Sequence, residues 1–182
     1  MKHPTLCIAA LLGVSLLSLW LGAELYHLSP FYMRVNKAEA IIHPTKGNQV
    51  SGTVRFEHKK DGLHISAVVN GLTPGKHGFH IHEWGDCSCE DASCAGAHFN
   101  PTNQPHAGPT ESERHVGDLG NIVANENGVG TYKFVDTDAT LNGRNSIIGR
   151  SVIVHADPDD LKTQPSGNAG ARIGCGVIGI AQ

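Results

Sequence analysis

Tight-turn dipeptides between short apolar runs constrain the fold of this chain more than any other feature. Asn-Gly and Asp-Gly pairs suit the positive φ of tight hairpin turns, and they occur at Asp61-Gly62, Asn70-Gly71, Asn127-Gly128 and Asn142-Gly143. The intervening runs alternate, as in residues 49–57, where Val50, Val54 and Phe56 share one face. The pattern predicts strands at residues 38–42, 49–57, 63–69, 78–82, 121–124, 130–135, 146–155 and 175–180. With 22 glycines in the chain, we expect an all-β domain in which eight strands form a sandwich or barrel.

Two stretches do not fit this strand pattern. Residues 85–117 and 157–170 are long, polar and rich in Gly, Pro, Asn and Ser. Long loops inside a compact domain are usually functional, so we expect the chemistry of this protein to lie in these two loops.

The N-terminus has the pattern of an export signal. Lys2 precedes an uncharged apolar run, residues 6–21, which ends near a small residue at Ala23. We therefore divide the chain into a signal peptide or signal anchor at 1–23, a linker at 24–36 and a domain at 37–182. The run is almost long enough to span a bilayer, so a membrane anchor that is not cleaved remains an alternative. Either interpretation predicts a periplasmic or extracellular domain in an oxidising compartment, where its four cysteines can form disulfides.

The charge of the chain points to no polyanionic partner. Its formal net charge is −3 and its pI is about 6.4. Such a balance favours neither nucleic acid nor an acidic lipid surface. We therefore expect no nucleic-acid partner.

Histidine spacing points to metal binding. His80 and His82 alternate on a predicted strand, so both rings leave the same face, although one such pair is also compatible with two exposed polar residues. Further candidate ligands follow in and beyond the first long loop: His98, His106, His115, Asp118 and His155. Four imidazoles suit Cu(II), and three imidazoles with one carboxylate suit Zn²⁺, so this set can supply both sites if one histidine is shared. The other histidines, at 3, 27, 43, 58, 64 and 77, are interpreted as signal, surface-strand or turn residues.

Six segments together resemble the copper/zinc superoxide dismutases in order and approximate spacing. They are Gly78-Phe79-His80-Ile81-His82-Glu83, His98-Phe99-Asn100-Pro101, His106-Ala107-Gly108-Pro109, Arg114-His115-Val116-Gly117-Asp118-Leu119-Gly120-Asn121, Gly167-Asn168-Ala169-Gly170 and Cys175-Gly176-Val177-Ile178-Gly179-Ile180-Ala181-Gln182. The resemblance extends from Lys37 to the C-terminus. It implies a Greek-key β-sandwich, an architecture of which this family is itself a standard example.

The resemblance also implies a role for each candidate residue. Copper would be bound by His80, His82, His98 and His155, and zinc by His98, His106, His115 and Asp118. His98 would bridge the two metals and act as a proton carrier. Asp159 would link a copper ligand to a zinc ligand, and Arg172 would hold the anion. Since the second loop is short and bears few charges, Lys162 and Arg172 are the candidates for steering superoxide to the site.

The implied reaction converts two superoxide ions and two protons to O2 and H2O2 through Cu(II)/Cu(I) cycling. Two other classes are weighed against it. A metal-binding module without enzyme activity should lack copper ligands, and a copper-storage protein should have more Met or Cys ligands than a chain with two methionines offers.

The disulfide pairing and the assembly are open on the sequence alone. The family's disulfide implies that Cys175 pairs with Cys87, with Cys94 as the alternative mate, and Cys89 and Cys94 would then close a small ring or stay free. Residues 147–150 and the C-terminal Gly-Ile-Ala-Gln resemble segments at the dimer contact of eukaryote-type members. The resemblance therefore implies a homodimer, with a monomer as the alternative.

Overall fold

Residues 34–182, the part of the chain that this computed structural model describes, form eight antiparallel strands and one short 3-10 helix. The strands are β1 (Lys37–Pro44), β2 (Ser51–Lys59), β3 (Gly62–Asn70), β4 (Gly75–His82), β5 (Asp118–Ala124), β6 (Gly130–Asp136), β7 (Ser151–His155) and β8 (Arg172–Ile180), and the helix is Ser93–Ala95. Within residues 34–182, no helix has the length and apolar character needed to cross a bilayer. The predicted export segment lies outside the described residues, so the division of the chain at residues 23 and 36 stays a prediction.

The strands close into a barrel in the order β1-β2-β3-β6-β5-β4-β7-β8, with β8 paired back to β1. Strands β3 and β4 follow each other in sequence but are not neighbours, because β6 and β5 lie between them. The connection from β6 to β7 likewise crosses two strands. This connectivity confirms the predicted all-β Greek-key fold.

The core of the barrel is built by the predicted alternation. On β3, Leu63, Ile65, Ala67 and Val69 are buried, whereas the intervening Val68 is 51% exposed. Burying one large apolar side chain contributes about 1.5–3 kcal/mol, so a register shift of one residue would be costly. The alternation therefore determines which face of a strand points into the core and which points outward.

Several predicted strand boundaries are wrong. Residues 146–150 form a turn rather than the start of β7: Gly149 has a φ of +76°, and the main-chain N–H of Arg150 donates to the carbonyl of Ile147 at 3.2 Å. Ile147 is apolar because it is fully buried in the core, not because it lies on a strand. Strands β4, β5 and β8 each begin three residues earlier than predicted, at Gly75, Asp118 and Arg172, because a glycine or a charged residue at the start carries no apolar signal. Strand β2 begins and ends two residues later than predicted.

Candidate metal centre

Main-chain hydrogen bonds fasten the first long loop to β4. The N–H of Phe99 donates to the carbonyl of Ile81 at 2.8 Å, and the N–H of Ile81 donates to the carbonyl of Gly117 at 2.9 Å. A Cβ at Gly117 would collide with the carbonyl oxygen of Ile81, so glycine is required for this close approach. These contacts bring the loop histidines over the face of β4 that carries His80 and His82.

Three side chains of the first long loop and one at the start of β5 form a tight group that we call the carboxylate cluster. Its members are His98, His106, His115 and Asp118, and all four are buried. The Oδ1 atom of Asp118 lies 2.8, 2.9 and 3.2 Å from the Nδ1 atoms of His98, His106 and His115 respectively. Three imidazole nitrogens around one carboxylate oxygen have the composition of a closed zinc site.

Four imidazoles form a second group that we call the imidazole cluster. Its members are His80, His82, His98 and His155, so His98 belongs to both clusters. In three of the rings, one nitrogen donates to a fixed acceptor: His80 Nε2 to Asp159 at 2.8 Å, His82 Nδ1 to the carbonyl of Gly96 at 2.9 Å, and His155 Nδ1 to that of Gly170 at 3.2 Å. In each neutral ring the other nitrogen then keeps its lone pair.

These free nitrogens face one another. The Nε2 atoms of His82 and His155 are 3.4 Å apart. His80 Nδ1 and His98 Nε2 are buried and, among the described residues, have no hydrogen-bond partner. A buried nitrogen without a partner is costly unless it has a ligand to bind, so the four lone pairs fit a metal of the copper type.

The electrostatics keep the imidazole cluster neutral. Burial, together with the neighbouring rings, lowers the pKa of His98 to about 4 and that of His155 to about 3. Burial also places the pKa of His82 well below its usual value and lowers the pKa of His80 despite its bond to Asp159. At neutral pH these rings are therefore uncharged, as metal binding requires.

In the carboxylate cluster, His106 and Asp118 favour their charged forms instead. Burial disfavours the charged form of His106, but its hydrogen bonds to Asp118 and Asp159 outweigh burial and raise its pKa to about 9. The pKa of Asp118 is lowered because its histidine partners outweigh its own burial. This pocket favours a positive charge at its centre.

Asp159 connects the two clusters. Its Oδ2 accepts from His80 Nε2 at 2.8 Å, and its Oδ1 accepts from His106 Nε2 at 3.0 Å. Its own main chain is paired with the side chain of Asn121, which accepts from the N–H at 2.8 Å and donates to the carbonyl at 2.9 Å. One carboxylate therefore orients a ring in each cluster.

Arg172 lies at the start of β8 beside a surface cavity of about 380 Å³. The cavity is lined by His82, His98, His155, Pro165, Ser166 and Arg172, among others. The guanidinium donates to the carbonyls of Ala92 and Gly96, both at 2.7 Å. These bonds fix the charged group at the mouth of the imidazole cluster. Lys162 is exposed and does not line this cavity.

Two disulfides constrain the loop that contains Ala92 and Gly96, whose carbonyls accept from Arg172. Cys87 is bonded to Cys175, three residues after Arg172, and the alternative pairing of Cys175 with Cys94 is not found. Cys94 is instead bonded to Cys89, in a small ring that encloses Ala92. The loop is thus tied to β8 on one side and closed on itself on the other.

Some functional positions were missed by sequence reasoning. The sequence predicts His77 to be a turn or surface residue, but it is 2% exposed and its Nδ1 lies 2.9 Å from the carbonyl of His155. Asn121 and Gln164 pair with the main chain of site residues, as described above for Asn121 and below for Gln164. Their partners are distant in sequence, so no local signal could have identified them.

The comparisons with known proteins agree with this geometry. A family model described as "Copper/zinc superoxide dismutase (SODC)" matches residues 50–178. The chain is 46% identical over 153 residues to an extracellular Cu-Zn superoxide dismutase of Brugia pahangi, covering 79% of this chain and 76% of that protein. It is 45% identical over 155 residues to Cu-Zn superoxide dismutase 2 of Mesembryanthemum crystallinum, covering 81% of this chain and 97% of that protein. The crystal structure of the clock protein EA4 matches with a TM-score of 0.76 at 39% identity, covering 82% of this chain and 98% of that one.

Proposed function

The chain belongs to the copper/zinc superoxide dismutase family, and we propose that it disproportionates superoxide. Two superoxide ions and two protons give one O2 and one H2O2, so that one superoxide is oxidised and the other reduced. The observation that carries this proposal is His98, which takes part in two complete ligand groups at once. A copper-storage site or an inactive copper module would not need both groups.

The two clusters divide the metals by their chemistry. The imidazole cluster, with His80, His82, His98 and His155, would hold copper, and the carboxylate cluster, with His98, His106, His115 and Asp118, would hold zinc. When bound, copper supplies the one-electron redox chemistry by cycling between Cu(II) and Cu(I), while zinc, which has no redox chemistry, orients His98.

The protein's own groups bind the anion and move the proton. Arg172, oriented by two main-chain carbonyls, holds superoxide at the mouth of the cavity through its planar charged fork. His98 carries the proton at Nε2, the buried atom that has no partner among the described residues. It takes up this proton in one half-reaction and donates it to the nascent peroxide in the other.

Metal content and activity, measured together, test the proposal. We expect one copper and one zinc per chain and superoxide-dependent activity from the metallated protein. His98→Ala should abolish activity and weaken both metals, since it removes a ligand from each cluster. A fully metallated protein without activity would overturn the proposal, as would a His98→Ala variant that binds both metals as before.

We also propose that the protein is exported. Its two disulfides are typical of an oxidising compartment, and one relative is named an extracellular enzyme. Whether residues 1–23 are cleaved or remain as a membrane anchor can be tested by N-terminal sequencing of the purified protein. A start at Met1 would exclude cleavage, and release of the protein without detergent would exclude the anchor.

A homodimer is supported by an apolar patch on β1, β8 and Trp84, which lies two residues after β4. Ile41, Trp84, Val177 and Ile180 are 49, 57, 44 and 67% exposed. Ile41, Val177 and Ile180 line one surface depression, and Gly85, next to Trp84, lies against Val177. Exposed apolar patches on soluble proteins commonly mark interaction sites.

Light scattering tests this proposal and should show a dimer. Trp84→Glu should dissociate it, whereas Val123→Glu, at an exposed position on β5, should not. A wild-type monomer would overturn the proposal.

A further inference from the structure

Gln164, in the short second loop, forms two hydrogen bonds with the main chain of His106 in the first loop. Its Oε1 accepts a hydrogen bond from the N–H of His106 at 2.8 Å. Its Nε2 donates to the carbonyl of the same residue at 2.7 Å. In the described part of the chain, no other hydrogen bond involves these two main-chain groups of His106.

The ring of His106 is held separately from its backbone. Nδ1 contacts Asp118 at 2.9 Å and Nε2 contacts Asp159 at 3.0 Å, and the side chain is fully buried. The side-chain contacts set the angle of the ring, while Gln164 sets where the Cα lies. Since a metal ligand must be fixed in both respects, neither set of contacts replaces the other.

The segment that carries Gln164 is itself ordered by local hydrogen bonds. Asp160 accepts from the main chain of Lys162 at 2.9 Å and of Thr163 at 2.8 Å, and the N–H of Gly167 donates to the carbonyl of Thr163 at 2.7 Å. Gly167, with a φ of +68°, packs so closely that a Cβ there would lie 2.7 Å from His106 Nε2 and collide with Asp159. The turn therefore presents the amide of Gln164 in a fixed position against the ligand.

We propose that Gln164 is a positioning residue for the zinc ligand His106 and slows the loss of zinc from the carboxylate cluster. This inference rests on the proposed zinc site. Gln164 would touch neither the metal nor the substrate; it acts by keeping the main chain of His106 from moving away from Asp118. Because the imidazole cluster does not contain His106, retention of copper should not depend on Gln164.

The chain offers a matched control. Asn142 forms the same pair of hydrogen bonds with the main chain of Val35, accepting from its N–H at 3.0 Å and donating to its carbonyl at 2.8 Å. Gln164→Ala and Asn142→Ala therefore delete the same two types of hydrogen bond, one pair at the metal centre and one at the start of the barrel. Gln164→Met keeps the length of the side chain while removing both bonds, and replaces the alanine variant if that variant fails to fold.

The experiment follows zinc release from the fully metallated proteins into an excess of a chromogenic chelator. Two lost hydrogen bonds should speed release from Gln164→Ala about tenfold, within the range found for groups that support metal ligands. Asn142→Ala should stay within about twofold of the wild type. Copper release should be unchanged in both. With Co²⁺ in place of zinc, the visible spectrum should shift for Gln164→Ala only, because it reports ligand geometry rather than stability.

The possible failures can be distinguished. A wild-type protein that holds no zinc would overturn the metal assignment itself. If the wild type holds zinc and Gln164→Ala releases it no faster than Asn142→Ala, the positioning role is wrong and the zinc site stands. The same conclusion would follow if the Co²⁺ spectrum of Gln164→Ala matched that of the wild type.

Discussion

The carboxylate cluster and the imidazole cluster share His98 but hold their side chains in different ways. In the first, the ligands contact one another, with Asp118 Oδ1 within 3.2 Å of three ring nitrogens. In the second, three rings are held from outside, by the carbonyls of Gly96 and Gly170 and by Asp159. The carboxylate cluster is thus organised by its own charge and the imidazole cluster by the surrounding fold.

This difference suits the two metals. A carboxylate among the ligands offsets the charge of a bound cation and closes the site, as expected for a structural metal. Four neutral imidazoles leave the full charge of the metal in place beside Arg172, at the cavity where an anion must enter. With the proposed metals bound, one site would retain its ion and the other would attract an anionic substrate.

Asp118→Asn should have the largest effect on the difference between the two clusters, because it removes the negative charge from the carboxylate cluster. We expect zinc affinity to fall by more than about 100-fold, since a charged ligand is lost rather than a supporting contact. Copper should be retained by the four imidazoles. Competition with a chelator of known affinity measures both metals. Equal losses of copper and zinc would contradict a division of labour between the clusters.

Asp159→Asn tests the connection between the clusters. Asp159 accepts from both His80 and His106. The asparagine side chain could accept from only one of them, because its oxygen accepts whereas its NH2 group only donates. We expect affinity for at least one metal to fall about 10- to 100-fold. Asp61→Asn is the control, because Asp61 is exposed and its side chain contacts His64 at the turn between β2 and β3. Unchanged metal binding in Asp159→Asn would show that the two clusters are organised independently.

Opening the small ring with Cys89→Ser and Cys94→Ser should affect the mouth of the imidazole cluster and spare both metals. The ring encloses Ala92, whose carbonyl orients Arg172. We expect a decrease of a few-fold in the second-order rate and a loss of about 2 kcal/mol in stability on the chain-entropy model. Fast kinetics at matched metal content measures the rate, with Ser88→Ala as a control in the same loop. A rate equal to that of the control would show that the ring does not contribute to the function of Arg172.

Lys162→Glu should have the smallest effect. Lys162 is exposed and lies outside the cavity lining, so its charge acts through solvent and is screened by salt. We expect a decrease in rate of about twofold at low ionic strength that disappears near 0.15 M salt, where the Debye length is about 8 Å. Lys133→Glu on β6 is the control. No decrease at low salt would end the proposed steering role of Lys162.

The sequence predicted the ligand groups better than the contacts that support them. Alternation on β4 placed His80 and His82 on one face, because that periodicity is local and geometric. The polar starts of β5 and β8 escaped the same reasoning, since Asp118 and Arg172 carry no apolar signal. His77 escaped it for a related reason: its burial depends on hydrogen bonds to Thr73 and to the distant carbonyl of His155.

Amide side chains were the least predictable group. Asn121, Asn142 and Gln164 each pair with both main-chain groups of one residue that is 38 to 107 positions away. Such a pair requires only an amide at the right distance, and amides are common in any polar loop. The function of these residues becomes visible only when the fold has brought their partners together.

Closure of the barrel also limits how this protein can associate. Each of the eight described strands has a neighbour on both sides, so none of them offers an open row of N–H and C=O groups to a foreign strand. The barrel of residues 34–182 is therefore protected against strand addition and against the aggregation that exposed edges promote. In the proposed homodimer the barrels would therefore meet through side chains, such as those of the apolar patch that includes Trp84.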